Sequence, residues 1–450
     1  MSGSSSINRR QFLEKSSLIA AAATAVGGAR ETSAQINNSA AVNVKPVRLG
    51  FIGVGIRGTL LMEAAAGIAG VEVKAAADCY RGHLDRAQEL ISSAVAVTGN
   101  YQEILSRADV DAVVIATPDH WHLRMTQDAL AAGKHVYIEK PMTHRWEEGE
   151  AFIAAADKSG KVVQVGSQYM SMGCAQKASE LIKSGRLGQV TLVEGRFHRN
   201  SATGAWYYPI PPDASPETVD YKGFLGSAPP QDFDLRRFFQ WRLFWDYSGG
   251  LPTDLFVHLV TATHQLMGVQ EPESVFSFGD VYHWKNYREV PDQMTSMVKY
   301  PDGFVLRLSS TASNGHPGPL LTIYGSEGTL EYTGGSFKHF YEPRTEGFAY
   351  STHSWPKATT AKFRELMNLN ERLTPLDGPA SAEPVEYKSS DEDSTRAHLR
   401  NWIDAIRSGG KPIEDVRFGH HAALVGHMCN LSYKAGKPVR WNRATRKVEV

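Results

Sequence analysis

The 450-residue chain carries 48 basic and 48 acidic side chains, a formal net charge of zero at pH 7. That balance excludes a broad electrostatic grip on nucleic acid or an anionic membrane, and no long like-charge block marks an interaction tail. With 42% hydrophobic residues, 10% aromatic residues and 40 glycines, the chain reads as a loop-rich α/β enzyme of two domains, not a disordered or fibrous protein. Cys79, Cys174 and Cys429 are too far apart for a metal knuckle or a disulfide framework and are expected to be buried thiols.

Residues 1–44 read as a leader and linker. Asn8-Arg9-Arg10-Gln11-Phe12-Leu13 precedes a mild apolar stretch, Leu18 to Val26, and small residues run on to Ala34. Arg9, Arg10, Phe12 and Leu13 resemble a twin-arginine (Tat) export signal, with Asn8 and Glu14 departing from its usual pattern. An ordinary disordered leader or a general secretory signal is the competing reading. The apolar stretch is too short to span a bilayer. The expectation is a bacterial protein exported by the Tat machinery to the periplasm or beyond, cleaved near Ala29 or Ala34 and free of membrane once mature.

Residues 45–168 alternate short apolar strands with helices. Strands are predicted at Val47–Ile52, Val71–Ala77, Ala112–Ala116, His135–Glu139 and Val162–Val165, with helices to about Ala66, over His83–Ile91, His120–Ala132 and Glu147–Lys158. This is the pattern of a parallel sheet wrapped on both faces, a Rossmann domain. The rhythm changes over 169–450. A helix near Ala175–Lys183 leads to a long strand, Val190–Phe197, then an aromatic-rich insertion from Trp206 to Tyr247 and a helix near Asp254–Met267. Strands are predicted at Ser274–Trp284, Gln293–Tyr300, Phe304–Ser309, Leu320–Tyr324 and Thr329–Tyr332, joined by glycine turns at Gly303 and Gly325–Gly328. A low-order stretch at Pro375–Pro384 precedes final helices near Ser394–Arg407 and Phe418–Tyr433. The fold class is α/β, a Rossmann domain followed by an α+β domain with a large open, mainly antiparallel sheet.

Gly53-Val54-Gly55-Ile56-Arg57-Gly58 follows the first strand and opens a helix, so its glycines and the helix N-terminus suit a pyrophosphate. Asp78 ends the second strand, where a carboxylate accepts ribose hydroxyls and repels a 2′-phosphate. NAD is therefore expected over NADP, with Arg81 nearby weakening that preference. A capping or turn carboxylate is the competing reading of Asp78. Thr117-Pro118-Asp119-His120-Trp121-His122 follows the third strand. Asp119 is placed to cap the next helix, while His122 either lines the nicotinamide crevice or packs. His120 and His122, two apart, cannot share a helix face, so no metal site is expected. Glu139-Lys140-Pro141 ends the fourth predicted strand, which delivers Lys140 into the crevice between cofactor and substrate.

These motifs, together with Gly249-Gly250-Leu251-Pro252-Thr253-Asp254-Leu255-Phe256-Val257-His258 and the turn Gly325-Ser326-Glu327-Gly328-Thr329-Leu330, resemble the Gfo/Idh/MocA oxidoreductases, named for glucose–fructose oxidoreductase and inositol dehydrogenase. The resemblance covers nearly everything after the leader. It implies a catalytic trio: Lys140 bonded to the reacting hydroxyl, His258 as general base, and Asp254 binding substrate or steadying the imidazole. It places Gly53, Gly55, Ile56, Arg57, Gly58, Asp78, Thr117, Pro118, His122, Glu139 and Lys140 around NAD. The insertion's rings, including Trp206, Tyr207, Phe238 and Trp241, serve equally well to stack on a sugar or to pack the loop. Trp241, Arg242 and His198 are candidate substrate contacts, and Arg199 is in reach. The leading expectation is an NAD-dependent oxidoreductase acting on a hydroxyl or carbonyl of a sugar or glycoside. The alternative is a redox-neutral NAD-dependent glycoside hydrolase or lyase that never releases its cofactor. The family's glycosidase branch lacks the Glu-Lys-Pro and Asp-x-x-x-His forms retained here. A non-catalytic sugar sensor is a third reading, opposed by the intact trio. Relatives often associate through the open face of the second sheet, which implies a homodimer or tetramer.

Overall fold

The computed structural model describes residues 46–342, 348–369, 384–389 and 393–450. Arg9-Arg10, both cleavage positions and all of Pro375–Pro384 but its last residue lie outside them.

Six strands form a wholly parallel sheet: β1 (Val47–Ile52), β2 (Val71–Ala77), β3 (Ala96–Thr98), β4 (Ala112–Ile115), β5 (His135–Glu139) and β6 (Val163–Gly166), in the order β3-β2-β1-β4-β5-β6. Every residue of β4 is buried, as befits a strand with helices over both its faces. The sequence reading finds five of the six. It misses β3, a three-residue edge strand too short to alternate, so the strand carrying Glu139 is the fifth in chain order. The order reverses between β1 and β4, which opens a crevice at their carboxyl ends.

The second sheet has ten strands: β7 (Val190–Arg196), β8 (Ser274–Asp280), β9 (Gln293–Lys299), β10 (Val305–Thr311), β11 (Leu321–Gly325), β12 (Gly328–Tyr332), β13 (Ser336–Tyr341), β14 (Val385–Lys388), β15 (Val439–Asn442) and β16 (Lys447–Glu449). Their order is β14-β13-β12-β11-β7-β10-β9-β8-β15-β16. All neighbours are antiparallel except β7 and β10. Burial alternates: Met294, Ser296 and Val298 of β9 point inward while Met297 and Lys299 face out. Helices Gly173–Lys183, Val257–Met267 and Val416–Ala435 cover the inner face. The outer face keeps Phe278, Met297 and Tyr324 exposed.

Helix Ser394–Ser408 returns to the first sheet. Leu399, Trp402 and Ile403 complete the core that holds Phe51, Leu61 and Tyr137. The Asp393 carboxylate caps the helix start by accepting from the Arg396 N–H at 2.8 Å. Near its end Arg407 donates to the Ala69 and Gly70 carbonyls at 2.8 and 3.0 Å.

Candidate active site

The glycine loop fits a dinucleotide. Gly53 has φ +82°, and a Cβ there would stand 2.9 Å from the backbone of Ala116 and Thr117, so no other residue serves. A Cβ on Gly58 would collide with the Gly53 carbonyl. Helix Ile56–Ala66 starts with no side-chain cap, which leaves its first amides, Ile56 and Arg57 among them, for an anion. Gly53, Gly55, Asp78, Thr117 and Pro118 line one cavity, and the Thr117 hydroxyl is buried in it without a partner. Asp78 combines both readings of its role. One oxygen accepts from the Val54 N–H at 2.8 Å and the other from the Tyr80 N–H at 2.9 Å. The second oxygen also lies 3.0 Å from His83 Nδ1, so the carboxylate braces the glycine loop while lining the cavity and keeps acceptor capacity on the oxygen that meets Val54. Arg81 is paired with Asp85 at 2.8 Å on the surface of its helix.

Three residues placed around the cofactor do other work. Arg57 and Glu139 are bound to each other at 2.7 Å, and the second Glu139 oxygen accepts from the Lys140 N–H at 3.2 Å. They tie the glycine-loop helix to the strand that carries the lysine. His122 is buried with its ring nitrogens 2.7 and 3.0 Å from the carbonyls of Pro141 and Thr117. The ring thus bridges the two loops, the arrangement expected of a packing residue.

The trio assembles at the far end of the groove. Pro252–Phe256 forms a π-helical turn ahead of helix Val257–Met267, and such turns free backbone carbonyls at sites of use. Lys140 Nζ donates to the Asp254 carbonyl at 2.7 Å and to its carboxylate at 2.8 Å. Arg242 approaches the same carboxylate oxygen at 3.4 Å. Burial alone would raise the Asp254 pKa, but these two cations overcome it and hold the acid well below the usual range. Both cations meet Asp254 through the same oxygen, Oδ1, and its charge also acts on His258. His258 stands between the rings of Tyr169 and Phe197, at 5.8 and 5.7 Å between centroids. Its Nδ1 is buried without a partner, so Nε2 is the nitrogen available to a substrate. Burial first, and then the Lys140 charge, push its pKa well below 6.5.

The candidate substrate residues divide. The Arg242 guanidinium lies 4.2 Å over the Trp241 ring, and Trp241 lines the cofactor cavity, so this pair joins groove to trio. His198 does not. Its neighbours are Ser309, at 3.5 Å, and the charge of Arg196, all on the outer face of the sheet, because alternation along the strand turns it away. Arg199, one residue on, has its charge on Asp254 and His258. Asp119 is not a cap: it is 3% exposed and sits among Arg242, Asp254 and Lys140, with burial raising its pKa well above the usual value. No signal in the chain distinguished it from a capping aspartate. Of the insertion's rings, Trp206 and Tyr207 are buried packing residues, and Phe238, also buried, lines the cofactor cavity. Among the described residues no histidine, cysteine and acid cluster suits a metal, and no helix is long and apolar enough to cross a membrane.

Sequence profiles of two adjoining domains match this architecture: an oxidoreductase-family NAD-binding Rossmann fold over residues 47–167 and an oxidoreductase-family C-terminal alpha/beta domain over residues 179–440. The chain belongs to the Gfo/Idh/MocA oxidoreductase family. Its Rossmann domain binds NAD. Similar curated relatives include an alpha-N-acetylgalactosaminidase of Shewanella oneidensis, 33% identical over 174 residues, covering 34% of this chain and 38% of that protein. A glycosyl hydrolase family 109 protein of Shewanella sp. (strain ANA-3) is 35% identical over 179 residues, with the same coverage. The chain thus spans under two-fifths of the length of these family relatives. Among solved structures, levoglucosan dehydrogenase in complex with NADH and levoglucosan superposes with a TM-score of 0.63 at 19% identity, covering 88% of this chain and 99% of that one. Aldose-aldose oxidoreductase from Caulobacter crescentus gives 0.63 at 19%, covering 88% and 100%. These likenesses are of fold.

Proposed function

We propose that the protein is an NAD-dependent oxidoreductase that moves hydride between nicotinamide and the hydroxyl-bearing carbon of a sugar or glycoside. The observation that carries this reading is Lys140 Nζ, fixed by two bonds to Asp254 beside His258. An ammonium has three donors, so one remains for a substrate oxygen. NAD supplies the hydride acceptor or donor. The protein's share is to orient the carbon and handle one proton. His258 Nε2 accepts the proton of the reacting hydroxyl, while Lys140 donates a hydrogen bond to the oxygen on which charge develops. Asp254 and Arg242 hold Lys140 in place, and Trp241 offers a flat face to a sugar ring.

A second reading is a redox-neutral glycoside hydrolase, favoured by the names of the curated relatives over about a third of the chain. One experiment separates the two. Purified protein is incubated with sugars and glycosides while NADH absorbance and product masses are followed. Oxidised sugar, with its hydride found on NADH or on a reduced partner sugar, supports the first reading, and released aglycone with neither supports the second. Lys140→Ala should lower turnover by roughly 10²-fold or more in either case. Unchanged activity in that variant removes Lys140 from both mechanisms.

A further inference from the structure

The insertion between β7 and Pro252 does more than pack. Its residues 213–241 cross the open side of the dinucleotide groove and are fastened at two strand ends. Beyond β2, the Asp220 N–H donates to the Cys79 carbonyl at 2.7 Å and the Arg81 N–H to the Thr218 carbonyl at 2.9 Å. The Tyr80 hydroxyl donates to Asp213 at 2.6 Å, and Phe239 sets its ring edge-on to Tyr80 with centroids 5.1 Å apart. Beyond β4, the Trp121 Nε1–H donates to the Phe224 carbonyl at 2.8 Å, with His120 Nε2 3.0 Å from the same oxygen. Gly226 lies so close to the Trp121 indole that a Cβ would strike the ring. Between these fastenings Asp220, Gly223, Phe224, Phe238 and Trp241 roof a cavity of about 280 Å³ whose floor is the glycine loop, Asp78 and Thr117.

A cofactor that exchanges at every turnover needs an unobstructed way out, and covering segments commonly set the rate of release. We propose that residues 213–241 are a retaining strap that keeps NAD seated between turnovers. Asp220 adds selectivity, because it brings a second carboxylate to the ribose end opposite Asp78. The two acids flank the Cys79 thiol, whose pKa is pushed up by burial and by both charges. A 2′-phosphate at that end would face both carboxylates. Retention rests on this geometry and not on the proposed function.

The test uses the full-length protein. Heat release should yield close to one NAD per chain, and prebound NADH chased with excess NAD should leave slowly. Trp121→Phe combined with Asp213→Ala removes two fastenings while keeping the ring beneath Gly226. Release should then be about tenfold faster or more, with lower occupancy on purification. Tyr80→Phe alone, a smaller change, should shift release in the same direction should the double variant misfold. Wild-type protein that purifies empty, or release equally fast in wild type and folded variants, overturns the strap. Retained NAD without any turnover of sugars would instead sink the proposed function and leave the strap standing.

Discussion

At the scale of single residues, the proposed base is held in the form that the proposed reaction needs. His258 must be neutral to accept a proton, and burial together with Lys140 lowers its pKa well below 6.5. The imidazole is therefore unprotonated throughout the ordinary histidine range, and the acid limb of kcat/KM should fall below that range. A pH–rate profile with an acid limb at about 6.5 would show that His258 is not the titrating base. The trio was legible because its members carry local signatures: a lysine at a strand end, and an Asp and a His four apart on one helix. Arg199 and Asp119 carry none, and Arg57 and Glu139 stand in local motifs that give no sign of their pairing with each other. Asp119 and Arg242 lie far apart in the chain and meet only after folding, and His198 and Arg199 exchange roles through a single step of strand alternation. Spacing alone does not show which of two adjacent side chains faces inward.

At the scale of elements, the longer helices and central strands follow the sequence closely because periodicity fixes them. The edges do not. β14 is exposed at every position and β16 has only three residues, so neither burial nor alternation marks them, while β15 alternates buried and outward positions over only four residues, too few to stand out. One junction between elements carries a measurable charge effect. Glu414, just before helix Val416–Ala435, is fully buried and accepts from the Ser167 N–H and hydroxyl at 3.2 and 3.1 Å. Burial pushes its pKa up to about 8 from an ordinary 4.5. Its folded pKa thus exceeds its unfolded one, and the folded state binds the extra proton. The contribution is complete below pH 4.5 and is lost as pH rises through about 8. Glu414→Gln should flatten the fall in melting temperature across that window. An unchanged slope would show that the carboxyl titrates normally.

At the scale of the whole molecule, the second sheet presents one face to helices and the other to water. Phe278 is 64% exposed and Met297 43%, on a face broad enough to meet another sheet. We propose that a second copy of the chain covers it, as expected of a homo-oligomer. Phe278→Asp should then shift the mass measured by light scattering from dimer or tetramer toward monomer without loss of bound NAD. Wild-type protein that is monomeric at micromolar concentration ends this proposal. The parallel alternation of the first sheet was readable in the sequence, but the late return of helix Ser394–Ser408 to that sheet was not, since nothing in an amphipathic helix names the surface it will meet. That return has a consequence for biosynthesis. A nascent chain that has emerged only through β6 lacks Leu399, Trp402 and Ile403 and leaves Phe51, Leu61 and Tyr137 uncovered. It also lacks Thr395, which bonds Arg57 beside the glycine loop at 3.3 Å. The first domain to leave the ribosome is thus among the last to finish folding, and a chain cut short in translation is a chaperone client rather than half an enzyme.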